Sequence, residues 1–184
     1  MPAVWQQLIA ELEASAEARR RNRRRNYSLL ATHPTPESRM RDLAISAQEV
    51  RSASRDYARG RERYLAALGN HRHSLLDDQV NLNDPGASLY IISSLAEDGW
   101  DGMLRYYEGE AWRLRGRPGD RERALQSYAQ AVTFADAPAD AWKAHGYALI
   151  QSGRRDEGKT ALTRYLALAP GAPDAAMVRY TLQQ

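Results

Sequence analysis

The side chains of this 184-residue chain with an evident capacity for chemistry are four histidines and a dense arginine run, and cysteine is absent. Without thiols, disulfides and thiolate-held zinc or iron–sulfur centres are excluded. His33, His71, His73 and His145 are followed by Pro34, Arg72, Ser74 and Gly146. None of them opens the H-E-x-x-H pattern that places two imidazoles and a carboxylate on one helix face. His71 and His73, two apart on a predicted helix, point to different sides, which argues against a shared metal. His145 falls at a core-type position, where a packed, hydrogen-bonded imidazole is expected. The arginine run, RRRNRRR from Arg19 to Arg25, admits three readings. It is a solvated helix end whose cations suit the C-terminal dipole, a phosphate contact without interleaved aromatics, or a contact for an acidic partner or for a parent protein.

The elements that position such groups are clearest in residues 139–170, ADAWKAHGYALIQSGRRDEGKTALTRYLALAP. Trp142, Gly146 and Leu149 have the spacing that opens a tetratricopeptide repeat, Gly153 marks a short turn, Leu162 takes the second-helix aromatic slot and Pro170 closes the unit. Gly146 leaves no side chain where two antiparallel helices cross, so their axes can approach to roughly 8–10 Å. Gly158 stands where such a repeat usually has Ala and permits the same close approach.

One helical hairpin cannot bury its own apolar face, so a neighbouring copy is required. Gly158, Leu162 and Tyr165 repeat Ala124, Tyr128 and Ala131 at an offset of 34 residues, and Gly146 and Gly153 repeat Gly109 and Gly116 at 37. The extra three residues lie in the turn RPGD, with Asp120 expected to cap the next helix. Residues 102–116 and 120–135 are therefore the preceding hairpin. A degenerate first repeat is predicted from Arg61, with Tyr64, Leu65, Leu68, Leu75 and Leu76 as the apolar side of its first helix. Asp84 and Pro85 begin its second helix, which Leu89, Ile92 and Leu95 continue. After Pro170, Pro173 and Asp174 start a capping helix that turns Ala175, Val178 and Leu182 inward.

The fold class is thus all-α, a solenoid with two clear repeats, one degenerate repeat and a capping helix, preceded by amphipathic helices. Three regions are predicted: 1–35, with an amphipathic helix, the arginine run and a THP loop; 36–60, a helix and connection; and 61–184, the repeat domain. In such repeats the first helices face the groove. The candidate partner-binding residues are Met103, Tyr106, Glu110 and Arg113 in one repeat and Asp140, Lys143, Tyr147 and Ile150 in the next. Their mixed charge indicates a protein or extended peptide and no single ligand type; ordinary solvent-facing helix positions are the bland alternative.

A hydrophobic fraction of 43% and a charged fraction of 27% suit a globular chain, and no apolar stretch is long enough to span a membrane. Residues 1–30 hold six arginines against Glu11, Glu13 and Glu17, while the remainder is balanced, which leaves nucleic acid a weak alternative partner. Val4, Trp5, Leu8, Ile9 and Leu12 form an apolar stripe that is expected to be covered, either within the chain or by a second copy through residues 4–12. Thr35 and Pro36 begin the next helix, which carries Met40, Leu43, Ala44 and Ala47 inward.

The string LLATHPTPESRMRDL resembles the stretch that follows the catalytic region in HtpX-like and Oma-like zinc metallopeptidases, particularly the beta-barrel-assembly-enhancing type. The later segments LLDDQVNLNDP, YYEGEAWRLRG, GDRERALQSYAQAV and YLALAPGAPDAAMVRYTL resemble the tails of those proteins in the same order. The resemblance implies a periplasmic parent enzyme that holds zinc through H-E-x-x-H and a further Glu. This chain is then its C-terminal, non-catalytic part, docking substrate or partner, or a natural relative lacking the catalytic helices. A missing catalytic domain becomes a partner, and a free-standing adaptor is the alternative. His33, in the THP loop, approaches the metal cleft of the intact parent on this reading; otherwise it only shapes the turn. No catalytic residue, metal ligand or cofactor is assigned to the chain itself. Purified and dialysed, it is expected to carry no stoichiometric zinc and to leave casein intact. One tightly held zinc per chain by metal analysis would overturn that.

Overall fold

The computed structural model describes residues 2–19, 36–52 and 61–184. Every regular element among them is helical. They are α1 (Pro2–Ala18), α2 (Pro36–Ser52), α3 (Arg61–Gly69), α4 (Arg72–Asn81), α5 (Pro85–Leu95), α6 (Gly102–Arg115), α7 (Asp120–Ala131), α8 (Ala139–Gln151), α9 (Arg155–Leu168) and α10 (Ala175–Gln183), with one 3₁₀ turn at Ala96–Asp98. The chain divides into two compact units, Met1–Leu75 and Leu76–Gln184. No described helix is long and apolar enough to cross a membrane.

In the first unit α1 packs along α2, and the Arg39 guanidinium lies 5.4 Å from the centre of the Trp5 ring. The apolar stripe of α1 is only partly covered: Trp5 and Ile9 are half-buried, whereas Val4, Leu8 and Leu12 are exposed. On α2, Met40, Leu43 and Ala47 are half-buried, but Ala44 faces solvent. The arginine run beyond Arg19, His33 and the Thr35 cap lie outside the described residues. The single helix expected after Arg61 is two, because Gly69 and Asn70 interrupt it and the His71 N–H turns back to the Leu68 carbonyl at 2.8 Å. Of the apolar side expected here, Tyr64, Leu65 and Leu75 are exposed, Leu68 is half-buried and only Leu76 is buried.

The second unit holds the core. Leu76 and Val80 of α4 pack with Ile92, Leu104, Tyr107 and Ala111 from α5 and α6. Asp84 caps α5 as predicted, accepting from the Ala87 N–H at 3.3 Å with Pro85 at the first position, while Leu95 is exposed. Asp101 caps α6 through the Leu104 N–H at 2.8 Å, and Gly116, left-handed at φ 63°, ends it. Asp120 departs from expectation. It is the first residue of α7 behind Gly119 and caps nothing with its side chain; the carboxylate reaches back across the turn to Arg115.

Two hairpins follow from where side chains are missing. A Cβ on Gly109 would collide with the Tyr128 ring, which places α6 against α7. On Gly146 it would lie 2.8 Å from the Leu162 side chain and 2.9 Å from the Gly158 carbonyl oxygen. On Gly158 it would lie 2.6 Å from Ile150 Cγ1. Pairing 146 with 162 and 150 with 158 means that α8 and α9 run antiparallel, and Gly153 at φ 86° supplies the turn between them. Leu162, Tyr165 and Val178 make the second core cluster, against which Trp142, Ile150 and Leu182 pack.

The α10 helix turns Ala175, Val178 and Leu182 inward as expected, and its outer side exposes Met177 and Tyr180 as well as Arg179. Asp174, at its N-cap position, makes no cap bond. Its carboxylate accepts from Lys143 Nζ of α8 at 2.7 Å and from the Tyr165 hydroxyl of α9, joining three helices.

Replacing Gly146 with Ala gains about 1 kcal/mol of helix propensity but sets a methyl against a backbone carbonyl that cannot swing aside. The overcrowding outweighs the gain. Gly146→Ala is expected to lose a net ~1–3 kcal/mol in urea unfolding. Gly171→Ala, at a site with open space around it, is the control and should change little.

Candidate docking groove

Helices α6, α7 and α8 enclose a groove of about 500 Å³. On α6, Tyr106, Glu110 and Arg113 are spaced four and three apart, which keeps them on one face. On α8, Asp140, Lys143, Ala144, Tyr147, Ala148 and Gln151 do the same, and α7 lays Ala124, Leu125 and Tyr128 beneath them. Six of the eight sequence candidates therefore line one groove: Tyr106, Glu110, Arg113, Asp140, Lys143 and Tyr147. Met103 and Ile150 do not. Met103 packs on the first core cluster, and Ile150 on the second, over Gly158. Sequence reasoning missed the residues of α7, including Arg121 and Glu122, because only the first helices of the hairpins were assigned to the groove, and on α8 it missed Ala144, Ala148 and Gln151, with Ser152 just beyond.

The wall is aromatic and its charges are mostly satisfied from within. Tyr128, 1% exposed, donates its hydroxyl to Glu110 Oε1 at 2.6 Å. Glu110 also accepts from Arg113 Nε at 3.2 Å and from Nη2, and this carboxylate holds the guanidinium above its ordinary pKa. Burial, then Glu110, pushes the Tyr128 hydroxyl well up, so it stays a donor. Tyr106, 6.3 Å from Tyr128 between ring centres, is raised by burial first and then by Glu110 and Asp140. Lys143 lies between Asp140 Oδ1 at 2.6 Å and Asp174 Oδ2 at 2.7 Å. Burial works against its charge, but the two carboxylates outweigh burial and raise its pKa. The Tyr147 hydroxyl is buried and has no hydrogen-bond partner.

The remaining candidates lie elsewhere. His145 is half-buried, and its Nδ1 makes no hydrogen bond, contrary to expectation. Burial first, and then Arg154, lowers its pKa and favours the neutral ring. His71 and His73 are exposed. Among the described residues no three His, Asp or Glu side chains gather as a metal site.

The α6–α7 turn lies between Arg113 and Arg121 of the groove lining and is locked by one carboxylate. Asp120, 1% exposed, accepts from Arg115 Nε at 2.9 Å and Nη2 at 2.7 Å, and from the Arg117 N–H at 2.9 Å. Arg115, then the Arg117 amide, holds its pKa below the usual carboxylate range against the opposing effect of burial. Compared with known proteins, the chain matches no family model, no curated protein and no solved structure.

A depressed folded pKa means that Asp120 stabilises fully above the ordinary carboxylate range and loses that contribution as pH falls through its folded value. Asp120→Asn is expected to cost roughly 2–4 kcal/mol near neutral pH, since it leaves a largely buried guanidinium without its charge partner. The gap between parent and variant in urea unfolding should close on acidification below about pH 4. A gap that stays constant across that range would contradict this account.

Proposed function

We propose that this chain is a protein-interaction module of tetratricopeptide type that holds an extended segment of a partner protein in the groove of α6, α7 and α8. The observation that carries the reading is the convergence of Tyr106, Leu125, Ala144, Tyr147 and Ala148 on one concave surface over the buried Tyr128. Such a surface offers apolar area to bury, and most of its charged groups are already paired, so an entering side chain displaces little bound charge. The 34-residue offset between the hairpins and their side-chain-free crossings support the repeat assignment. On the metallopeptidase resemblance, which rests on LLATHPTPESRMRDL and the order of the later segments, the module serves a catalytic domain that this chain does not contain, positioning its substrates or partners.

A displayed library of extended peptides, selected on the full chain, tests the reading. Selected peptides should bind in the micromolar range and weaken about tenfold or more on Ala144→Trp, which fills the groove, with the helical circular dichroism unchanged. Peptides that bind the Ala144→Trp variant as well as the parent would rule the groove out.

A further inference from the structure

The turn between α6 and α7, beside the groove, carries a surplus of positive charge. Residues 112–123, WRLRGRPGDRER, carry five arginines against Asp120 and Glu122. Asp120 is consumed by the turn, where Arg115 grips it and Arg123 stands 3.8 Å away. Arg115 and Arg123 also lie over the Trp112 ring, at 4.3 and 4.8 Å from its centre. Arg113 is matched by Glu110. Arg121, which lines the groove and is exposed, makes no ion pair among the described residues. Because α7 runs antiparallel to α6, the start of α7 comes beside the end of α6; of the turn's arginines Arg113 and Arg121 line the groove, together with Glu110 and Glu122, and the net positive charge of residues 112–123 lies on the turn next to them. At the start of α8 Asp140 is paired with Lys143, and Asp136, outside the groove lining, accepts from the Gly102 N–H at the start of α6 at 3.1 Å.

We propose that the segment held in this groove carries a run of acidic side chains that lies on the arginine turn, next to an aromatic or branched apolar residue that enters beside Tyr106. The inference rests on the peptide-docking reading above. Guanidinium groups spread over a whole turn match several carboxylates in sequence better than one terminal carboxylate, and Arg121, which has no ion pair among the described residues, can take one in a fork geometry. A nucleic acid fits less well. The Trp112 ring already has Arg115 and Arg123 over it, so it offers no platform for a base.

The test uses the full chain and four fluorescein-labelled probes followed by anisotropy. Two are end-blocked peptides in which five glutamates precede or follow Leu-Phe-Leu, one is the lysine counterpart, and one is a short oligothymidylate. The better glutamate peptide should bind at least about tenfold tighter than the lysine peptide. It should weaken about tenfold or more on Arg121→Glu, recover on Arg121→Lys, weaken on Ala144→Trp and lose affinity as salt is raised. Equal binding of glutamate and lysine peptides, both weakened by Ala144→Trp, would overturn the acidic partner and leave the groove reading standing. Glutamate binding untouched by Ala144→Trp would detach the turn from the groove and overturn the inference. Oligothymidylate binding tighter than either glutamate peptide and lost on Arg121→Glu would assign the turn to phosphate instead. Failure of every peptide to bind would count against both readings.

Discussion

Everything in the second unit depends on helices approaching one another where side chains are missing. At Gly146 and Gly158 the backbones of α8 and α9 are close enough that a methyl on either residue would meet the carbonyl oxygen of the other. At Gly109 the space a Cβ would need is filled by the Tyr128 ring. These contacts bring α7 close under α6 and hold α9 flush behind α8, so that α6 and α8 can present their tyrosines toward a common hollow. A hairpin held even an ångström or two further apart would leave Leu162 and Tyr128 with voids to fill, and dispersion contacts would be lost on both sides.

The polar interactions work on two scales. Asp120 and Arg115 are five residues apart and lock a turn locally, so that α7 starts in a defined place relative to the end of α6. Asp174 and Lys143 are 31 residues apart and tie α10 to α8, while the same carboxylate takes the Tyr165 hydroxyl of α9. Lys143 is shared between that tie and Asp140 at the groove wall. The fastening of the last helix and the wall of the groove are thus linked through one ammonium group. The buried Tyr147 hydroxyl and His145 Nδ1, both without partners, stand out against this otherwise satisfied network.

The two halves of the chain differ in how completely they bury their apolar residues. In Leu76–Gln184, Ile92, Leu104, Leu162 and Val178 are fully enclosed, whereas α1 and α3 leave Val4, Leu8, Leu12, Tyr64 and Leu65 facing outward. Pairing α1 with α2 covers Trp5 and Ile9 only in part, because two helices in contact cover one face each. The physics that required a second hairpin beside the first applies to this unit as well.

By itself the sequence determined the helical class, the turns and the crossings. Glycine and proline act locally, so Gly116, Gly153, Pro85 and the small residues at 109, 146 and 158 mark helix ends and close contacts wherever they occur. The spacing of Tyr106, Glu110 and Arg113, and of Asp140, Lys143 and Tyr147, already put each set on one helix face. What only the tertiary structure decided is which faces meet. Met103 and Ile150 have the same periodicity as their groove neighbours but lie toward the two core clusters, a difference of less than one helix turn that spacing cannot resolve. The choice of Asp120 to bind Arg115 rather than cap its helix, and of Asp174 to bind Lys143, is likewise invisible in the chain. A carboxylate goes to the strongest donor within reach, and reach is a property of the packed helices.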